Sequence, residues 1–193
     1  MVLTRSTMLS LGTKSPDFSL LDVVTNKKVN LSDFKGKSAL LVMFICSHCP
    51  YVKHVEEELV KIGEDYKDKD LGIVAISSND PDYDWEDKPE GLKKQAESAG
   101  FTFPYLIDED QSVAKTYTAA CTPDFFLFDK ENKLAYRGQL DDSRPENGMP
   151  VTGKDLRNAI DSVLSGGEVD SDQKPSAGCN IKWKQGNAPS YFA

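Results

Sequence analysis

The feature that most constrains the fold is a run of apolar residues, from Ala39 to Ile45, that leads directly into an amphipathic segment. A short apolar run between polar residues is typical of a strand that is buried on both faces of a sheet. In the segment that follows, apolar residues recur at spacings of three and four, which predicts a helix with one apolar stripe. These residues are Val52, Val55, Leu59, Ile62 and Tyr66. The pattern therefore predicts a buried strand followed by a helix, as in α/β proteins.

The rest of the chain alternates between strand-like and helix-like segments. Strands are predicted in a hairpin over 18–31, at 71–77 and 105–107, and in a second hairpin over 125–136. Helices are predicted over 90–99, up to Tyr117 behind a capping box of Asp108 and Gln111, and from Thr152 to Leu164. The segment 79–89 is strongly acidic and is expected to be a solvated loop. This order predicts an α/β fold, with a central mixed sheet flanked by helices, an N-terminal β-hairpin extension and a polar C-terminal tail.

Composition excludes several classes of partner. The chain has 193 residues, with 23 Lys and Arg against 31 Asp and Glu, so its net charge is −8. Nucleic acids and anionic membrane surfaces attract a basic excess, so neither is an expected partner. No apolar run approaches the length of about 20 residues that a membrane-spanning helix needs. The N-terminus has no secretory pattern and four cysteines are too few for a secreted disulfide scaffold, so we expect a cytoplasmic protein.

The chemistry is expected where the buried strand meets the helix, at Cys46-Ser47-His48-Cys49-Pro50. The positive end of the helix dipole lies there, and it should lower the pKa of Cys46 below the ordinary value of about 8.5. His48 can add positive charge or a hydrogen bond. Cys49, one turn further along, can attack a mixed disulfide on Cys46. Pro50 suits the first turn of a helix.

Zinc binding and a pair of inert buried cysteines are the alternative interpretations of these cysteines. Cys46, Cys49 and His54 have a spacing that resembles a zinc site, but Cys49 and His54 are five residues apart on one helix. At 3.6 residues per turn their side chains point about 140° apart. We therefore expect neither a metal nor another cofactor.

The sequence resembles the thioredoxin superfamily, and within it the redoxin or AhpC/TSA-like branch, over about residues 12–165. The resemblance rests on PDFSLLD, LSDFKGK, CSHCP, IDEDQSVAKTY and TPDFFLFD, which occur in the expected order. A group of bacterial thioredoxin-like proteins is most similar, through FICSHCPYVK and the C-terminal GCNIKW. The resemblance implies a thioredoxin-like domain over 12–165 with a docked tail over 166–193. It also implies that Thr122 and a cis-Pro123 face the cysteine pair, where the backbone before the proline pairs with substrate.

The sequence departs from two patterns of that superfamily. Leu40 stands where thioredoxins often carry a buried acid that moves protons to the second thiol. Ala39, Val42 and Met43 stand where typical peroxiredoxins carry the proline and hydroxyl residues around the peroxidatic cysteine. The second departure disfavours peroxidase chemistry.

Three functions remain open on these residues. The favoured one is a thiol–disulfide oxidoreductase that acts on protein or small-molecule thiols and disulfides, with Cys46 attacking, Cys49 resolving and His48 tuning. The position of His48 implies a reduction potential above that of thioredoxin, about −270 mV. The alternatives are a thiol peroxidase, in which hydroperoxides oxidise Cys46, and a non-catalytic binding module. The oligomeric state is left open.

The remaining cysteines raise a separate question. Residues 178–184 are expected to dock on the domain, with Trp183 mostly buried, because Ile181 and Trp183 alternate with lysines in a strand-like pattern. Cys179 is expected to be a buried structural thiol, with a third redox thiol that exchanges with Cys46 as the alternative. Cys121 is expected near the face of the cysteine pair, without a disulfide to Cys179.

Overall fold

The computed structural model describes residues 3–192, and its centre is a seven-stranded mixed sheet. The strands, in chain order, are β1 (Leu3–Arg5), β2 (Ser19–Asp22), β3 (Lys28–Asn30), β4 (Ala39–Phe44), β5 (Leu71–Ser77), β6 (Tyr105–Ile107), β7 (Cys121–Thr122), β8 (Asp124–Asp129), β9 (Leu134–Gly138) and β10 (Ala177–Asn180). The order across the sheet is β3-β2-β6-β5-β4-β8-β9. Strands β4, β5 and β6 are parallel, and β8 and β9 extend the sheet as an antiparallel hairpin. The predicted mixed sheet is confirmed.

In the described residues four α-helices flank the sheet: α1 (Pro50–Asp65), α2 (Pro89–Ala99), α3 (Ser112–Tyr117) and α4 (Lys154–Leu164). The apolar faces of α1, α2 and α4 pack against one side, and α3 packs against the other. Helix α1 begins with Pro50, whose missing N–H costs little in the first turn. Within residues 3–192, no helix combines the length and apolar character needed to cross a bilayer.

The central strand β4 is buried along its whole length because both faces of the sheet are covered. Leu41 and Met43 point into the cluster formed with α1, α2 and α4, whereas Leu40 and Val42 point into the cluster formed with α3. The apolar run therefore reflects two buried faces, as the sequence predicted. Leu40 consequently lies on the face opposite to the one that Met43 shares with Cys46 and Cys49.

The N-terminal hairpin prediction is also confirmed. Strands β2 and β3 pair antiparallel, and β2 joins the main sheet by pairing with β6.

The C-terminal segment forms a small second sheet in the order β1-β10-β7. Cys179 is opposite Thr122 in the ladder between β10 and β7. Gly178 makes this close approach possible, because an added Cβ would lie 2.0 Å from the carbonyl oxygen of Thr122. After β10, Ile181 is buried, and Trp183 is mostly buried, packing against the apolar cluster on the α3 side of the sheet and against Tyr191. This agrees with the expected burial of Trp183, and the division at residue 165 stays a prediction.

The capping box predicted before α3 forms only in part. The carboxylate of Asp108 accepts hydrogen bonds from the backbone N–H groups of Val113 and Ala114, so it does cap this helix. The side chain of Gln111 instead donates to the carbonyl oxygens of Ser78 and Lys182. Its amide satisfies backbone groups of the C-terminal segment, which the local sequence pattern could not reveal.

Candidate active site

Cys46 and Cys49 lie at the junction of β4 and α1. Cys46 follows the last residues of the strand, Cys49 is the N-cap of the helix, and both side chains are fully buried. The Sγ atom of Cys46 is 3.4 Å from Oγ1 of Thr122, and Sγ of Cys49 is 3.3 Å from the carbonyl oxygen of Thr122. One residue therefore contacts both sulfurs.

The peptide bond between Thr122 and Pro123 is cis, as the resemblance implied. The backbone of Thr122 is paired with Cys179 of β10, within the same chain. A substrate strand that used this backbone would have to replace β10.

Cys179 is the third sulfur at the site, and its contact is with Cys49. The two Sγ atoms are 2.8 Å apart. The sequence considered a structural thiol or a partner for Cys46, and neither interpretation included this contact. Residues opposite each other in a ladder project to the same face, so Cys179 and Thr122 both project toward the pair.

Cys121 does not share this contact, and the expectation that it lies near the face of the pair stays a prediction, although the charge of Cys49 acts on its thiol. Side chains alternate along a strand, which directs Cys121 to the other face of β7 from Thr122. Its Sγ atom is 3.6 Å from the carbonyl oxygen of Pro123.

His48 binds a carboxylate that the sequence did not reveal. Its Nδ1 atom is 2.5 Å from Oδ2 of Asp87, whose side chain is completely buried. The other oxygen, Oδ1, accepts a hydrogen bond from the N–H of Ser47 at 2.9 Å, and Asn79 donates to Oδ2 at 2.7 Å. For Asp87 the prediction of a solvated loop is wrong, because four donors replace its water shell.

The ion pair sets the charge of both groups. The hydrogen bond to Asp87 raises the pKa of His48 above its ordinary value, although burial of the ring opposes this. Burial alone would raise the pKa of Asp87, but the hydrogen bonds from His48 and Asn79 outweigh it and hold that pKa below the usual range. The site therefore favours an imidazolium next to a carboxylate. Nε2 of His48 is buried and has no hydrogen-bond partner among the residues described.

The pKa values of the two thiols are shifted in opposite directions, upward for Cys46 and downward for Cys49, which contradicts the predicted low pKa of Cys46. Burial, followed by the hydrogen bond to Cys49 and the charge of Asp87, raises the pKa of Cys46 well above its ordinary value. Hydrogen bonds from Cys179 and Cys46 hold the pKa of Cys49 far below its usual range, and the N–H of Val52 contributes. The reason lies in the contacts of the sulfurs: Cys49 lies between the thiols of Cys179 and Cys46, and both stabilise a thiolate on Cys49.

The zinc-like combination of Cys46, Cys49 and His54 does not form, since Nε2 of His54 is hydrogen-bonded to Ser143. In the described part of the chain, ligand atoms of Cys46, His48 and Asp87 do lie within 4.8 Å of one another. Nδ1 of His48 is already bonded to Asp87, and the carboxylate of Asp87 also accepts hydrogen bonds from backbone and amide donors.

Comparison with known proteins identifies the family of this chain. Residues 11–137 match the model of the AhpC/TSA family. The chain belongs to the AhpC/TSA family. The thiol-disulfide oxidoreductase ResA of Bacillus thuringiensis is 30% identical over 134 residues, which is 68% of this chain and 70% of ResA.

Solved structures place this family member among thioredoxin-like folds. A conserved protein of Geobacillus kaustophilus is 54% identical, with a TM-score of 0.93 over 95% of this chain and 97% of that one. A thiol:disulfide interchange protein DsbE from Chlorobium tepidum shares the fold at 24% identity, with a TM-score of 0.65 over 81% of this chain and 99% of that one. With this family and these relatives, the AhpC/TSA member described here is a thiol–disulfide oxidoreductase.

Proposed function

We propose that Cys46 and Cys49 are the redox pair and that Cys46 is the sulfur that attacks substrate. The observation that carries this proposal is the contact of both sulfurs with Thr122, the residue before Pro123, at the start of α1. Cys46 lies on the strand side of the pair, outside the helix, whereas Cys49 is fixed as the N-cap. The substrates we propose are thiols and disulfides of proteins or small molecules.

In the reducing direction the exchange has two steps. The proton of Cys46 passes to the Cys49 thiolate, and the Cys46 thiolate attacks one sulfur of a substrate disulfide. The substrate S–S bond breaks, one substrate thiolate leaves and takes up a proton, and a mixed disulfide remains on Cys46. Cys49 then loses its proton and attacks the Cys46 sulfur, which releases the second substrate thiol and leaves a Cys46–Cys49 disulfide. Two electrons pass to the substrate.

His48 and Asp87 adjust the direction in which this exchange runs. The imidazolium of His48 lies beside Cys46 and favours its thiolate, whereas the charge of Asp87 opposes it. Where the imidazolium outweighs the carboxylate, the reduced form is stabilised and the disulfide is a stronger oxidant. We therefore propose a reduction potential above that of thioredoxin, about −270 mV. Equilibration with glutathione measures it, and a value at or below that of thioredoxin would contradict the role of His48.

Insulin reduction with dithiothreitol tests the assignment of Cys46. We expect Cys46→Ser to lose the activity, while Cys121→Ser, a change at another buried cysteine, retains it. Cys49→Ser should accumulate a mixed disulfide on Cys46, because no second thiol resolves it. Equal rates for wild type and Cys46→Ser would favour a non-catalytic binding module.

A further inference from the structure

A third thiol lies on the redox pair, and it contacts the resolving cysteine. The Sγ atoms of Cys179 and Cys49 are 2.8 Å apart, and a disulfide bond is about 2.05 Å long. A movement of less than about 1 Å therefore separates this contact from a covalent bond. Cys49 is also hydrogen-bonded to Cys46, so its sulfur is the middle one of three.

The position of Cys179 is fixed by the fold rather than by a loose tail. Strand β10 is hydrogen-bonded on both sides, to β1 and to β7. Beyond the strand, the N–H of Lys182 donates to Oδ1 of Asn79, and its carbonyl accepts from the N–H of Asp80 at 2.7 Å. Gly178 is the residue that lets β10 approach Thr122 so closely. The sulfur contact is therefore built by two ladders and one glycine.

We propose that Cys179 attacks the Cys46–Cys49 disulfide at Cys49 and moves the bond inward, to Cys49–Cys179. Cys179 gives up its proton, its thiolate forms a bond to Sγ of Cys49, and the bond between Cys46 and Cys49 breaks. Cys46 leaves as a thiolate and takes up a proton. No electrons enter or leave, so the protein stays oxidised while Cys46 regains a thiol that can attack again. This relay rests on the proposed function of the pair.

Once the Cys46–Cys49 disulfide has formed, the charges near Cys179 favour its thiolate and therefore its attack on Cys49. In the reduced protein the hydrogen bond to Cys49 is the main cause that raises the pKa of Cys179 above its usual range, with burial second. A Cys46–Cys49 disulfide carries no negative charge on Cys49, so this cause disappears. The ammonium of Lys182 and the N–H of Tyr51 both act in the opposite direction and stabilise the thiolate.

The contrast with Cys121 supports a chemical role. Both cysteines are buried in the second sheet, one residue apart in the ladder register. Only the one opposite Thr122 faces the pair, whereas Cys121 is next to the carbonyl of Pro123. Cys121 therefore provides a matched control for any effect of removing a buried thiol.

Disulfide mapping of the oxidised protein tests the relay. The protein is oxidised with diamide, quenched in acid, alkylated and digested with trypsin. In wild type and Cys121→Ser we expect partial labelling of Cys46, together with a link between peptides 38–53 and 158–182. In Cys179→Ser we expect the link and the labelling of Cys46 to be lost, because only the Cys46–Cys49 disulfide remains.

The variant Cys46→Ser tests the contact between Cys49 and Cys179 without any formation of the Cys46–Cys49 disulfide. Cys46→Ser cannot form the catalytic disulfide, so its oxidation should give the same linked peptides through Cys49. Absence of that link, together with unlabelled Cys46 in oxidised wild type, would overturn the relay. Cys49→Ser tests the alternative that Cys179 exchanges with Cys46. A Cys46–Cys179 link in oxidised Cys49→Ser, without a Cys49–Cys179 link in oxidised Cys46→Ser, would also overturn the relay. If the link forms but insulin reduction is the same in wild type and Cys46→Ser, the relay stands and the proposed function fails.

Discussion

Replacing Asp87 by Asn tests the ion pair most directly. The Oδ2 atom of Asp87 receives hydrogen bonds from Nδ1 of His48 at 2.5 Å and from Nδ2 of Asn79 at 2.7 Å, and the carboxylate is fully buried. Hydrogen bonds to charged groups contribute about 1.5–3 kcal/mol each. An asparagine keeps only one carbonyl acceptor. It can accept hydrogen bonds either from the N–H of Ser47 or from the side chains of His48 and Asn79, but not from all three. We expect Asp87→Asn to lower the free energy of unfolding by about 3 kcal/mol while His48 is charged.

The loss should depend on pH in a defined way. The pKa of His48 is raised, so its contribution is complete below the unfolded value of about 6.5 and disappears as pH rises through the folded pKa. The pKa of Asp87 is lowered, so its contribution is complete above the unfolded value of about 3.9 and disappears as pH falls through the folded pKa. The variant should therefore be most destabilised between about pH 4 and 6.5, and less so at about pH 9.

Urea unfolding at about pH 6 and about pH 9 measures this difference. Asp82→Asn is the control, because Asp82 is in the same loop but its side chain is 88% exposed. An NMR titration of His48 supplies a second readout: its midpoint should fall in Asp87→Asn and stay unchanged in Asp82→Asn. Equal midpoints for His48, or an equal loss of stability at both pH values, would refute the reasoning.

Three further predictions follow from the sulfurs and from β10. When the thiolate absorbance in the ultraviolet is followed against pH, it should rise below the ordinary thiol pKa in wild type and in Cys46→Ser. It should not do so in Cys49→Ser, because the low pKa belongs to Cys49. The opposite pattern would restore the sequence-based assignment to Cys46. Stopped-flow with hydrogen peroxide should give a rate no faster than that of an ordinary thiolate, because Cys46 is buried and lacks the residues of typical peroxiredoxins; a much faster reaction would support a peroxidase. Gly178→Ala should destabilise the protein by at least about 2 kcal/mol, because its Cβ would meet a backbone oxygen rather than a movable side chain. The control for thermal unfolding is Gly167→Ala, whose Cβ would meet its nearest atom at an ordinary 3.4 Å.

The elements that the sequence predicted are those whose signals are local. The apolar run of β4, the stripe of α1 and the turn of the β2–β3 hairpin each need only neighbouring residues to be recognised. The strand-to-helix junction at Cys46 follows from the first two. The cis bond at Pro123 came from the resemblance, because its effect depends on a segment more than 70 residues from the pair.

The groups that the sequence did not reveal act over long distances along the chain. Asp87 lies 39 residues from His48, within a loop of many acidic residues, and nothing local marks it as the buried one. A partial signal existed in Asn79, because the ends of the parallel strands β4 and β5 meet at one edge of the sheet. Cys179 lies 130 residues from Cys49 in a segment that has the composition of a tail. The low pKa was assigned to Cys46 because the sequence did not place Cys179 beside Cys49, and its thiol is the main cause that lowers the pKa of Cys49.

Thr122 connects these long-range contacts, and this has a consequence for the order of events. Its hydroxyl contacts Cys46, its carbonyl oxygen contacts Cys49, and its backbone pairs with Cys179. If substrate pairs with this backbone, as the resemblance implies, it must displace β10 and separate Cys179 from Cys49. Substrate exchange and the inward transfer of the disulfide then exclude one another in time. The relay would act after the substrate has left, when β10 has returned to its ladder.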